Sequence, residues 1–140
     1  MDIINGERAI MNTNHKIKFL LENVSDLDFN IDDVEISYLI HGKTNDSYLL
    51  DFKNFKFFLR LNNKNSLNLG INRQNESLIL QSLDKKNIAP NLVYMDNKYE
   101  FIIYEYIEGI ELDLNKTDSE GRKKLLNLIE SYQDIKIDLP

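Results

Sequence analysis

The chain of 140 residues contains no cysteine, which excludes disulfide bonds and thiolate metal sites and fits a reducing compartment. No apolar run approaches the ~18 residues needed to cross a bilayer. Residues Met1 to Asn14, with Asp2, Glu7 and Arg8 among small apolar groups, lack the apolar centre of a signal peptide. Positive charge is in short supply as well. The net charge of −6 disfavours nonspecific binding to nucleic acid or to an anionic membrane. A cytoplasmic protein without either partner is expected. There are only two histidines, His15 and His41, and no internal repeat. Asp26-Leu27-Asp28 and Asp32-Asp33 read as a solvated connector, because no third oxygen cluster follows at calcium-loop spacing. What remains suffices for one globular domain: hydrophobic residues make up 42% of the chain, enough to bury a core without staples.

Thr13 or Asn14 can cap a first helix in which Ile17, Leu20, Leu21 and Val24 form one apolar stripe. Three aromatic and β-branched runs follow, Ile36–Ile40, Ser47–Phe52 and Phe55–Leu61, separated by short polar breaks, as successive antiparallel strands are. A second helix leads from Asn72 to about Lys86, its buried face marked by Ile71, Leu78, Ile79 and Leu83, and Ile88-Ala89-Pro90 stops it. Leu92–Tyr94 and Tyr99–Ile107 read as two further strands about the turn Asp96-Asn97-Lys98. Thr117-Asp118-Ser119-Glu120 has capping-box spacing and opens a last helix with Leu125, Leu128, Ile129 and Tyr132 on one face. The order predicts an α+β fold: a five-stranded antiparallel sheet, one packed helix between strands 3 and 4, and flanking amino- and carboxy-terminal helices. Residues 1–33 form a helix and acidic connector, 34–109 the sheet domain, and 110–140 a linker and final helix.

Three constellations bear on chemistry. Arg60 is a lone cation between Leu59 and Leu61, so it needs an anion. Glu76, at the edge of the second helix's apolar stripe, either pairs with Arg60 across the domain or pairs locally with Arg73, three residues before it. The turn His41-Gly42-Lys43-Thr44-Asn45 is either an ordinary hairpin or a phosphate-binding concavity of backbone amides, with Thr44 and Asn45 as added donors. Tyr104-Glu105-Tyr106-Ile107-Glu108-Gly109 either packs its aromatics as an edge strand or offers backbone groups to a flat heterocycle.

In order along the chain, His41-Gly42-Lys43-Thr44-Asn45, Phe58-Leu59-Arg60-Leu61, Ile71-Asn72-Arg73-Gln74-Asn75-Glu76, Ile88-Ala89-Pro90 and Glu105-Tyr106-Ile107-Glu108-Gly109 resemble the amino-terminal lobe of the choline kinase and aminoglycoside phosphotransferase family. Bacterial choline and thiamine kinases are the nearest in pattern, and the resemblance covers about residues 34–112. It implies a kinase-like fold that binds ATP with magnesium. Gly42, Lys43, Thr44 and Asn45 would form the phosphate loop, Arg60 would hold the α- and β-phosphates, Glu76 would position Arg60, and the backbone of Glu105 and Ile107 would meet the adenine. The loop departs from the family in having His41 where a first glycine usually stands. Asp51-Phe52-Lys53 has Lys in place of the glycine of the kinase metal motif and reads as a strand end.

Family members carry a second lobe with a His-x-Asp catalytic loop and a later metal-binding Asp. Here His15 and His41 are followed two residues on by Ile17 and Lys43. No catalytic residue and no metal ligand is therefore assigned, and the chain is not expected to transfer phosphate alone. The last helix would lack its usual cover. Its face of Leu125, Leu128, Ile129 and Tyr132 is expected to meet a partner chain carrying the second lobe, to self-associate, or to fold back on its own sheet. The alternative function is a non-enzymatic protein-interaction module built on the same lobe.

Overall fold

The structure, a computed structural model, describes residues 3–24, 30–39, 45–64, 66–84, 86, 88–110 and 112–137. Five strands, β1 (Glu35–Leu39), β2 (Asp46–Asp51), β3 (Lys56–Leu61), β4 (Leu92–Met95) and β5 (Phe101–Glu105), form one antiparallel sheet in the order β1-β2-β3-β5-β4. Helix α1 (Ile3–Glu22) precedes the sheet, α2 (Arg73–Leu83) lies between β3 and β4, and α3 (Ser119–Gln133) follows β5. The expected architecture is the observed one.

Strand alternation divides the sheet into two faces. Tyr48, Leu50 and Phe52, then Phe57, Leu59 and Leu61, then Phe101 and Ile103 point to one side and pack with Ile17 and Leu21 of α1 and with Val24 just beyond it. Ile17, Leu21, Leu50, Leu59 and Ile103 are fully enclosed, and each such burial contributes roughly 1.5–3 kcal/mol. The intervening residues Ser47, Phe58, Arg60, Ile102 and Tyr104 face the other way. Register holds them side by side: Ser47 opposite Arg60, Arg60 opposite Ile102, and Phe58 opposite Tyr104. The β2–β3 turn is closed by Lys53 in the left-handed region (φ 67°), whose amide donates to Asp51 Oδ1 at 2.9 Å.

Several boundaries differ from the sequence expectation. Helix α1 begins at Ile3, and Thr13 and Asn14 lie inside it rather than capping it. Glu7 to Met11 are adequate helix formers with no proline to break them, so a polar Thr-Asn pair is not enough to start a new helix there. Helix α2 ends at Leu83, before Lys86, because Asp84 turns to an extended backbone (ψ 137°) and its Oδ1 accepts from the amide of Leu92 at 3.0 Å. Strand β5 ends at Glu105, short of Ile107, since the Glu105 amide makes the last bond toward the β4 side, to Asn91 C=O at 3.0 Å. Asp118, not Thr117, caps α3, accepting from the Gly121 amide at 2.8 Å.

Helix α3 has not folded back onto the sheet. Leu126 is 59% exposed, and Leu128, Ile129 and Tyr132 remain two-fifths exposed. Among the described residues, the Tyr132 hydroxyl ties it to the domain, donating to Ile88 C=O at 2.6 Å. Among the described residues no helix is long and apolar enough to cross a membrane.

Candidate functional site

The second face of the sheet carries the polar chemistry. Arg60 rises from it because β3 alternates, and Glu76 meets it because α2 starts at Arg73 and presents its fourth residue inward. The α2 start is fixed by Asn72, whose side chain accepts from the Asn75 amide at 3.1 Å. Arg60 Nη2 lies 2.9 Å from Glu76 Oε1, and Arg73 Nη1 lies 2.7 Å from Glu76 Oε2. Both pairings weighed from the sequence therefore form, one on each carboxylate oxygen. Arg73 reaches further: its Nη2 donates to Asn45 Oδ1 at 2.7 Å, and that oxygen also accepts from the Asn63 amide at 3.1 Å.

This cluster is largely withdrawn from water, with side-chain exposures of 17% for Arg60, 9% for Arg73 and 26% for Glu76. Two guanidinium cations share one carboxylate, so an unbalanced positive charge stands in a partly desolvated place. Among the described residues, Arg60 Nε and Arg73 Nε are buried without a hydrogen-bond partner, and Arg60 Nη2 is held to Glu76 by charge and proximity rather than by an aligned hydrogen bond. Unpartnered buried donors carry a cost that an incoming anion would remove. The neighbouring Tyr104 phenol is pushed above its ordinary value, chiefly by burial; the nearby Glu76 carboxylate adds to this and Arg60 opposes it.

Beside the cluster lies a cavity of about 400 Å³, walled by Phe58 and Tyr104 from the sheet, Leu80 and Leu83 from α2, and Ala89 and Pro90. Its rim is the chain from Glu105 to Ile107. The Glu105 amide is committed to Asn91 C=O and the Tyr106 amide to Lys56 C=O at 3.1 Å. The rim is braced from both sides, by Asn91 Nδ2 donating to Glu105 Oε2 at 2.8 Å and by Lys56 Nζ to Glu108 Oε1 at 2.7 Å. The Glu108 carboxylate holds the Lys56 ammonium pKa above its usual value, by its hydrogen bond and then by its charge. A larger, open hollow of about 750 Å³ lies between residues 62–64, 70–74 and 98–100.

Of the residues expected to meet a nucleotide, Asn45, Arg60 and Glu76 are brought together by the structure, and Glu105 and Ile107 lie together at the cavity rim. Gly42, Lys43 and Thr44 lie outside the described residues. The Asn45 oxygen serves Arg73 and Asn63. Arg73 and Tyr104 were not assigned a place in the site from the sequence. The i,i+3 spacing of Arg73 and Glu76 was the signal for the first, whereas the position of Tyr104 depends on a strand register that periodicity does not supply. Among the described residues no group of three or more His, Asp or Glu side chains could hold a metal ion.

A five-stranded antiparallel sheet whose third strand sends a cation to a carboxylate on the following helix is the amino-terminal lobe of the kinase-like fold. The fold matches that of choline kinases, bacterial and eukaryotic. The choline kinase LicA from Streptococcus pneumoniae is similar over 71% of this chain and 34% of its own, at 30% sequence identity and a TM-score of 0.57. A choline kinase from Cryptosporidium parvum Iowa II is similar over 91% of this chain and 37% of its own, at 20% identity and a TM-score of 0.67. The chain thus spans about a third of the length of the structures it matches. No protein-family model matches it, and no curated protein does.

Proposed function

We propose that this chain is the ATP-binding lobe of a small-molecule kinase of the choline kinase type, and that it does not transfer phosphate by itself. The observation that carries the reading is the shared carboxylate: Arg60 and Arg73 divide Glu76 between them, leaving one positive charge and buried guanidinium nitrogens without partners. A polyphosphate supplies the missing negative charge and acceptor oxygens. Arg60 would hold it from the sheet, and Gly42, Lys43 and Thr44 would join it as the phosphate loop that the family pattern implies. The cavity suits a flat base, stacked between Phe58 and the α2 leucines, with the backbone of Glu105 and Ile107 at its edge. Magnesium would accompany the nucleotide, and the described residues include no cluster to hold it apart from the nucleotide.

The remaining two thirds of a choline kinase would come from a further segment or partner chain, docking on the apolar face of α3 at Leu125, Leu128, Ile129 and Tyr132. The same exposed face favours a second reading, in which the lobe is a protein-interaction module indifferent to nucleotides. Calorimetric titration with ATP separates the two. The kinase reading expects saturable binding that Arg60→Ala abolishes, and the absence of binding by the parent chain would favour the module.

A further inference from the structure

The fork of Arg73 joins its own helix to a residue 28 positions earlier in the chain. One prong takes Asn45 Oδ1 just before β2, and the other takes Glu76 Oε2, both at 2.7 Å. Glu76 is thereby divided, with only Oε1 facing Arg60 at 2.9 Å. A carboxylate next to a single arginine favours a two-bond, fork-to-fork pair that occupies both of its oxygens and two guanidinium donors. Arg73 withholds one oxygen from that arrangement. Arg60 is consequently left with a buried Nε that has no partner and an Nη2 whose contact with Glu76 is not an aligned hydrogen bond.

We propose that Arg73 is a positioning residue for polyphosphate binding. By drawing Glu76 Oε2 toward itself and Asn45, it prevents Glu76 from neutralising Arg60, and so keeps the donors of Arg60 and one net positive charge available to the anion. This deepens the nucleotide reading above and rests on it. Arg73 thereby affects affinity without touching the ligand. Asn45 Oδ1, as acceptor, has the task of fixing the fork.

The test is a titration of the 140-residue chain with inorganic tripolyphosphate at fixed ionic strength. The variants are Arg73→Gln, Arg73→Gln with Glu76→Gln, and Arg60→Met, each checked for the parent far-UV spectrum. Arg73→Met serves as a second neutral replacement, so that one folded variant at this position suffices. Arg73→Gln is expected to weaken binding roughly ten- to a hundredfold, the range for losing one hydrogen bond to a charged group. Adding Glu76→Gln should return affinity to within about threefold of the parent, because the pair variant again has one net positive charge and no carboxylate to close on Arg60. A role limited to holding the fold, or direct contact between Arg73 and phosphate, gives no such recovery. Parent-like binding by Arg73→Gln, or a pair variant as weak as the single one, overturns the inference. If the parent binds, Arg60→Met does not, and Arg73→Gln binds like the parent, the nucleotide reading stands and only the role of Arg73 falls. A parent chain that does not bind tripolyphosphate overturns both.

Discussion

Replacing Glu76 by alanine removes the one carboxylate that Arg60 and Arg73 share, whereas replacing Arg60 by methionine leaves the balanced pair Arg73–Glu76. The two substitutions should therefore differ sharply in cost although both break the same 2.9 Å contact. Loss of one member of a buried ion pair costs about 3–5 kcal/mol, because the other charge stays desolvated. In Glu76→Ala two cations are stranded, at 17% and 9% exposure. Glu76 itself is 26% exposed, so water recovers part of the loss and the expected cost is near the lower end, about 3 kcal/mol. Arg60→Met keeps much of the apolar stem and relieves the excess charge, and should cost no more than about 1 kcal/mol. Urea unfolding followed by far-UV circular dichroism reads both. With a slope of about 1–3 kcal/mol per molar, Glu76→Ala should lower the midpoint by roughly 1–3 M. Equal midpoints for the two variants, or a larger loss for Arg60→Met, would refute the idea that the cluster carries surplus positive charge.

Leu59→Ala, at a side chain with 0% exposure, should lower stability by about 2–5 kcal/mol, visible as a fall in Tm, and a smaller loss would mean that α1 does not close over the sheet. The Tyr104 phenol, raised chiefly by burial, should ionise above the usual value of about 10 in an ultraviolet absorbance titration. Its stabilising contribution is full below the unfolded pKa and is lost as pH rises through the folded one, so urea midpoints should fall in that alkaline window and fall less in Tyr104→Phe. Leu128→Glu combined with Ile129→Glu should change stability by no more than about 0.5 kcal/mol, since both side chains are exposed. Light scattering should show less concentration-dependent association, and a loss above about 1 kcal/mol would mean that the α3 face is packed.

Much of this arrangement follows from residue periodicity. The alternation through Phe57 to Leu61 sets which side of β3 is apolar, and that alone leaves Arg60 on the side opposite Leu59. The edge position of Glu76 on its helix then brings the two together, as the 2.9 Å contact shows. Spacing alone makes Arg60 and Arg73 rival partners of Glu76; a carboxylate has two oxygens, and each arginine takes one. The Arg73–Asn45 bond was out of reach for a different reason. It depends on how α2 is placed against the first hairpin, a tertiary relation with no period to betray it. Capping residues misled at both outer helices: Thr13 sits in the middle of α1, and the cap of α3 is Asp118, one residue later than Thr117. At β5 the apolar run outlasts the strand, because Glu105 makes the last bond toward the β4 side.

The Tyr132–Ile88 hydrogen bond spans 44 positions and joins α3 to the segment that leads into Ala89 and Pro90, two walls of the cavity. A binding partner that tilts α3 must either break this link or drag the wall with it. The last helix is therefore coupled, through a single hydrogen bond, to one wall of the cavity.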